Sequence, residues 1–129
     1  MQRNLKTYIV DDSPLMRERL KENIQEYDFL VCCGEAGTLA EAREGIHSMA
    51  PDVVVLDIRM PDGNGISLIG DIKSHHPDMK IIMFTNYPFP QHRKKCMEEG
   101  AEYFFNKSEG FDDLFQAMHD IAALRIRSA

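Results

Sequence analysis

Val53-Val54-Val55-Leu56-Asp57-Ile58-Arg59-Met60-Pro61-Asp62-Gly63-Asn64-Gly65 is the stretch that decides how this chain folds. Its first four residues are apolar without alternation and mostly β-branched, the pattern of a strand buried on both faces at the centre of a parallel sheet. The run stops at an acid, Asp57, and enters a segment dense in turn formers. Three other apolar runs stop similarly: Tyr8-Ile9-Val10 at Asp11-Asp12, Ile81-Ile82-Met83-Phe84 at Thr85, and Tyr103-Phe104-Phe105-Asn106 at Lys107. If all four are parallel strands of one sheet, their carboxyl ends lie side by side. Three carboxylates, a hydroxyl and an ammonium then share one crevice.

Outward from Val53, strands and helices alternate. Leu5–Val10 reads as the first strand, and Ser13-Pro14 opens a helix whose apolar stripe is Leu15, Leu20, Ile24 and Tyr27, running to about Asp28. A second strand spans about Phe29–Glu35. Thr38 with Glu41 is a capping-box signature, which predicts a helix over Leu39–Met49 stopped by Pro51. Beyond Gly65, Ile66, Ile69 and Ile72 mark a helix to about Ser74, followed by a strand over Lys80–Phe84. Tyr87-Pro88-Phe89-Pro90 makes a stiff extended loop. The helix from Pro90 to Glu99 is polar on most faces, with Cys96 and Met97 as its anchors, so it is expected to be loosely held before Gly100 ends it. Ala101–Phe105 is the fifth strand. Phe111–Arg127 closes the chain as a helix anchored by Leu114, Phe115, Met118, Ile121, Ala122 and Leu124, with Arg125 and Arg127 at its negative end.

Such alternation with short connections requires parallel strands and helices on both faces, because each crossover is right-handed. The fold class is therefore α/β, a doubly wound (βα)5 sheet. Periodicity does not reveal strand order, but the flavodoxin-like order 2-1-3-4-5 sets strands one and three together and brings Asp11 and Asp12 to Asp57.

The bulk properties agree. The 129 residues, 43% of them hydrophobic, suit one domain over 1–129 that buries about two thirds of its unfolded surface. A formal charge of −6 disfavours nucleic acid and acidic membrane surfaces as partners. No apolar stretch reaches the length of a membrane span, and the start leads into a strand without a signal-peptide core, so a cytoplasmic location is expected. Cys32, Cys33 and Cys96 lack zinc-ligand spacing with histidine and read as reduced packing residues.

Three carboxylates converging without a cation repel one another, so either one is protonated or a hard divalent ion sits among them. Mg2+ is the natural choice, Asp57 the nucleophile, and Thr85 and Lys107 the donors to a phosphoryl group. Each residue also has a plainer reading: Asp11-Asp12 as helix-start acids, Thr85 as a strand-end hydroxyl, Lys107 as a loop lysine. Their joint placement after successive strands favours the site. His75-His76 before Pro77 shows no acid or cysteine at ligand spacing and reads as a hydrated helix end. Gly63 and Gly65 match no nucleotide-binding loop, and the methionines read as core filling.

From Leu5 to about Ile126 the chain resembles the receiver domain of two-component response regulators. The resemblance rests on Asp-Asp-Ser after strand one, the quoted stretch around Asp57, Thr85 at the end of strand four, and Phe-x-x-Lys at strand five. It implies that Asp57 accepts a phosphoryl group from a histidine kinase or a phosphotransfer protein. Asp12, Asp57 and the Arg59 backbone carbonyl would bind Mg2+, and Asp11 would act mainly through water. Lys107 would hold a phosphoryl oxygen, Thr85 would move toward it, and Phe104 would be the aromatic switch that turns inward. A downstream protein would bind the face of strand five and its flanking helices, where Tyr87, Phe89 and Phe104 would present aromatics. With no output domain read after it, and from its single-domain length and net charge, the chain is expected to be a stand-alone, chemotaxis-type or phosphorelay regulator acting by protein contact rather than a DNA-binding regulator, a phosphoacceptor and not an enzyme.

This chain departs from the family at Asn86, where a small residue is usual, and at Ser108, where proline is common. The Lys107-Ser108 bond is then either a strained cis peptide or trans. Arg59 and Tyr87 stand where they could gate water. Two rival readings are a pseudo-receiver that binds partners without cycling phosphate, and an aspartyl-phosphate phosphatase of the haloacid-dehalogenase type. The latter needs an Asp-x-Asp motif, which Asp11-Asp12-Ser13 is not.

Overall fold

The computed structural model describes residues 4–128, with side chains through residue 125. Strands and helices alternate as β1 (Leu5–Val10), α1 (Pro14–Gln25), β2 (Leu30–Ala36), α2 (Leu39–Met49), β3 (Val53–Leu56), α3 (Ile66–His75), β4 (Lys80–Thr85), α4 (Pro90–Glu99), β5 (Tyr103–Asn106) and α5 (Phe111–Ser128). All the strand pairs of the main sheet are parallel, in the order β2-β1-β3-β4-β5. A two-residue antiparallel hairpin, Arg59–Met60 with Gly63–Asn64, lies between β3 and α3.

The continuous apolar runs are explained by two core layers. Val54, Leu56, Ile81 and Met83 face one layer with Ala42 and Ile46 of α2, Leu68 and Ile69 of α3 and Cys96 of α4. Val53, Val55, Ile82 and Phe84 face the other with Leu20 and Ile24 of α1 and Leu114 and Met118 of α5. Because successive side chains alternate, a strand covered on both sides must be apolar at every position. Tyr8 fits only because two glycines lie beside it: a Cβ at Gly34 would come within 2.6 Å of its ring, and one at Gly45 within 2.0 Å of its hydroxyl.

Local signals place the helix starts. Ser13 accepts from the Met16 amide at 3.2 Å, with Pro14 in the first turn. Thr38 accepts from the Glu41 amide at 3.1 Å. α2 ends at Ala50 in the left-handed region (φ 46°) before Pro51.

Several sequence expectations need correction. α1 ends at Gln25, not Asp28, because the Glu26 and Tyr27 amides turn back to Asn23 and Ile24. Leu15 is 80% exposed, and Met16 packs against the core in its place. Four residues before Leu20 is nearly a full turn, whereas five is not. Leu124 in α5 is likewise exposed at 58%, and Met97 in α4 is 38% exposed, leaving Cys96 as the buried residue of that helix. Ala101 does not begin β5, since its amide bonds the Cys96 carbonyl and closes α4 behind Gly100 (φ 118°). Of the methionines, Met60, Met79, Met83 and Met118 fill the core, but Met49 is exposed. Arg125 pairs with Asp52 at 2.7 Å, and the side chain of Arg127 lies outside the described residues. No helix among the described residues is long and apolar enough to cross a membrane.

Candidate functional site

The strand order puts the ends of β1, β3, β4 and β5 in a row. Asp57 continues β3, and its amide donates to the Val10 carbonyl at 3.0 Å, so Asp57 is fastened to the end of β1 beside Asp11. Lys107 continues β5, and its amide donates to the Thr85 carbonyl at 2.9 Å. Backbone pairing thus fixes all four positions before any side chain acts.

Lys107 Nζ lies 2.7 Å from Asp57 Oδ2 and 2.5 Å from Asp11 Oδ2, and all three side chains are buried. The remaining oxygens are also held: Asp57 Oδ1 accepts from the Ile58 amide at 2.7 Å, and Asp11 Oδ1 from the Ser13 amide at 2.9 Å. Burial pushes the Asp11 carboxyl above the ordinary aspartate range, against the pull of Lys107 and the Ser13 amide and with a smaller push from Asp57. Burial alone would lower the Lys107 pKa, but its hydrogen bonds to Asp11 and Asp57 together outweigh it and hold the ammonium above the ordinary lysine value. Asp12 is exposed at the rim, and Asp11, Asp12 and Asp57 each offer a carboxylate oxygen within 4.8 Å of the others. One ammonium does not balance three carboxylates, and an all-oxygen donor set with spare negative charge suits a hard divalent cation.

Two contacts missed in the sequence support this geometry. Asp62, read as a turn former, accepts from the Leu39 and Ala40 amides at 2.8 and 3.1 Å, tying the segment after Asp57 to the start of α2. Those amides hold the Asp62 carboxyl below the ordinary range. Arg17 donates from Nη1 to the Asp11 carbonyl at 2.6 Å and from Nε to Glu35 at 2.8 Å, bracing the Asp11 backbone. An aspartate directly after a turn-forming proline, and an arginine one turn into a helix, are too common to single out. Gly65 is needed for close approach, since a Cβ there would lie 2.0 Å from the Asp57 carbonyl oxygen.

The remaining predicted residues fall into place less uniformly. Thr85 is fully buried, and its hydroxyl accepts from the Tyr87 amide at 3.0 Å. Asn86 beside it is exposed. Arg59 is exposed, and its guanidinium stacks over Tyr87. Phe104 is only 8% exposed and belongs to the core layer containing Met83 and Cys96. It therefore offers no ring to a partner here; on that face Phe89 is exposed and Tyr87 half-buried. The bond between Lys107 and Ser108 is trans.

The reading of His75-His76 also needs correction. Asp71, one turn earlier on α3, lies 3.5 Å from His75, and His47 of α2 lies 3.0 Å from His76. The spacing Asp71-x-x-x-His75 was visible in the sequence, but the approach of His47 was not.

Comparison with known proteins agrees with this fold. Residues 7–119 match the family described as the response regulator receiver domain. The DNA-binding transcriptional activator DevR/DosR of Mycobacterium tuberculosis is 35% identical over 121 residues, covering 94% of this chain and 56% of that protein. Response regulator GacA of Pseudomonas syringae pv. syringae is 28% identical, with 92% and 56% covered. The chain thus spans about half the length of these relatives. Among solved structures, the response regulator domain of Thermotoga maritima CheB superimposes with a TM-score of 0.86 at 25% identity, covering 94% of this chain and 98% of that one. A LuxR-family two-component response regulator from Aurantimonas sp. gives 0.86 at 28% identity, with 93% and 86% covered. By the buried lysine–carboxylate site at its strand ends and the match over 7–119, this chain belongs to the response regulator receiver domain family.

Proposed function

We propose that this receiver is a phosphoacceptor switch in which Asp57 takes a phosphoryl group from the phosphohistidine of a histidine kinase or phosphotransfer protein. One observation carries the reading: the buried Lys107 ammonium is held 2.7 Å from Asp57 Oδ2 at the end of the central strand. A carboxylate oxygen of Asp57 attacks phosphorus, the phosphorus–nitrogen bond breaks, and the leaving imidazole recovers its electron pair and takes up a proton. Phosphoryl transfer needs mainly positioning and charge neutralisation.

Asp11, Asp12, Asp57 and the Arg59 backbone carbonyl would hold Mg2+, and the three carboxylates offer oxygens within 4.8 Å of one another for it. When bound, Mg2+ supplies positive charge that offsets the carboxylates and the incoming phosphoryl oxygens. Lys107, already fixed against Asp57, is in reach of a phosphoryl oxygen once Asp57 is esterified. The Thr85 hydroxyl accepts from the Tyr87 amide and keeps its own proton to donate. Any movement of Thr85 toward the phosphoryl group therefore pulls on Tyr87 and on the loop that leads into α4. That helix buries only Cys96, which makes it inexpensive to shift. A downstream protein would read the face formed by β5, α4 and α5, with Phe104 responding from inside the core.

Incubation with Mg2+ and a small phosphodonor, followed by intact-mass analysis, tests the assignment. One base-labile phosphoryl adduct is expected in the wild type and none in Asp57→Asn. An adduct that survives the substitution overturns Asp57 as acceptor, and no adduct at all leaves a partner-binding module that does not cycle phosphate.

A further inference from the structure

Three of the chain's five histidines meet at the seam between α2 and α3. Helices of a parallel α/β sheet run opposite to the strands, so the last turns of α2 and α3 lie at the amino-terminal end of the sheet, across the molecule from the Asp57 crevice. There, His47 Nε2 is 3.6 Å from Asp71 Oδ2, and His75 Nδ1 is 3.5 Å from Asp71 Oδ1. One donor atom from each of His47, Asp71 and His75 lies within 4.8 Å of the other two.

We propose that His47, Asp71 and His75 form a site for a borderline transition-metal dication, Zn2+ being the representative, that clips α2 to α3. The donor chemistry sets the class: two imidazole nitrogens and one carboxylate suit Zn2+, Ni2+ or Cu2+, whereas Mg2+ prefers an all-oxygen set. Three protein donors at an open surface leave a fourth position to water. His47 is oriented for the task, because its Nδ1 lies 3.0 Å from His76 Nε2. With the proton on Nδ1 and directed at His76, the Nε2 lone pair faces Asp71, the arrangement in which a second partner fixes a coordinating imidazole. His75 Nδ1 lies 2.9 Å from the Asp71 carbonyl and 3.1 Å from the Ser74 hydroxyl, so a metal bound at that nitrogen displaces these contacts. Arg43 Nε lies 3.3 Å from Asp71 Oδ2 and competes for that oxygen, which makes this an exchangeable site rather than a closed structural one. Since α2 and α3 cover the same core layer, a metal here braces that layer without touching the acidic crevice.

Calorimetric titration of the whole chain with ZnCl2, in buffer already saturated with MgCl2, tests the proposal. One Zn2+ per chain is expected, with affinity reduced roughly tenfold or more in His47→Ala and in His75→Ala. Both side chains are more than a third exposed, so the fold tolerates these changes. Affinity unchanged in Asp57→Asn and in His92→Ala supports the assignment. Absence of a Zn2+ site in the wild type, binding that persists undiminished in both histidine variants, or binding lost in Asp57→Asn overturns it.

Discussion

The Arg59 guanidinium lies 4.2 Å from the centroid of the Tyr87 ring, joining the loop after Asp57 to the loop after Thr85. Both loops border the proposed phosphoryl site, so the contact forms part of its cover. A cation–π pair at a surface contributes about 0.5–1 kcal/mol. A double-mutant cycle with Arg59→Ala and Tyr87→Ala in urea denaturation should return a coupling of about that size. Opening the cover should also shorten the lifetime of the Asp57 adduct in each single variant, measured by decay of the phosphorylated mass; an unchanged lifetime in both would assign the pair to stability alone.

Lys107 offsets two buried carboxylates at once. Removing one partner of a buried ion pair costs about 3–5 kcal/mol, because the other charge is left without compensation. Lys107→Ala in Mg2+-free buffer should show a loss of that order in urea denaturation, and adding Mg2+ should recover part of it. A fully stable variant without the metal would show that Lys107 is not needed to offset these carboxylates in the fold.

Gly65 is where the packing of α3 on the Asp57 backbone is tightest. Gly65→Ala should destabilise the fold by about 1–3 kcal/mol, the usual range for overpacking, and should reduce adduct formation by displacing Asp57. Gly70→Ala, in the middle of α3 with a Cβ that meets only the end of Glu99 at 3.6 Å, is the matched control: it should stabilise the helix by about 0.5–1 kcal/mol and leave adduct formation unchanged.

Lys21 and Arg17 hold the Glu35 carboxyl below the ordinary glutamate value. A carboxyl with a lowered native pKa stabilises the fold above its unfolded-state pKa, and that contribution is lost as pH falls through the native pKa. With Glu35 one-third exposed, solvent screening limits the contribution to about 0.5 kcal/mol. Thermal melts of Glu35→Gln should therefore lie slightly below wild type at neutral pH and converge with it in acid. A gap that persists in acid would trace to packing instead.

On α1, Leu15→Ala should change stability by no more than about 0.5 kcal/mol, and Leu20→Ala should cost about 2–5 kcal/mol, since one side chain is in water and the other in the core. Chemical denaturation of the two variants distinguishes them directly.

The order and type of the elements were legible because each follows from local chemistry. Val53–Leu56 can only be a strand covered on both sides, Thr38 and Ser13 cap the helices that follow them, and Pro51 and Gly100 close helices at or beside their ends. Facing was less legible. Leu15, Met97 and Leu124 are apolar residues near helix stripes, and a rotation of one position decides whether each meets the core or water. Ala101 continues an apolar run in sequence, yet its amide is taken by the α4 cap.

The polar residues that end four of the apolar runs, Asp11, Asp57, Thr85 and Lys107, are a property of the sequence. Their grouping belongs to the tertiary structure. Parallel pairing brings β1 and β5 to either flank of the central strands, so one ammonium from near residue 107 reaches carboxylates about a hundred and about fifty positions earlier. The same holds for Arg17 beneath Asp11, Asp62 at the start of α2, and His47 beside Asp71. Hydrophobic periodicity is a local signal, whereas a contact between polar side chains far apart in sequence exists only once the backbone has fixed the distance between them.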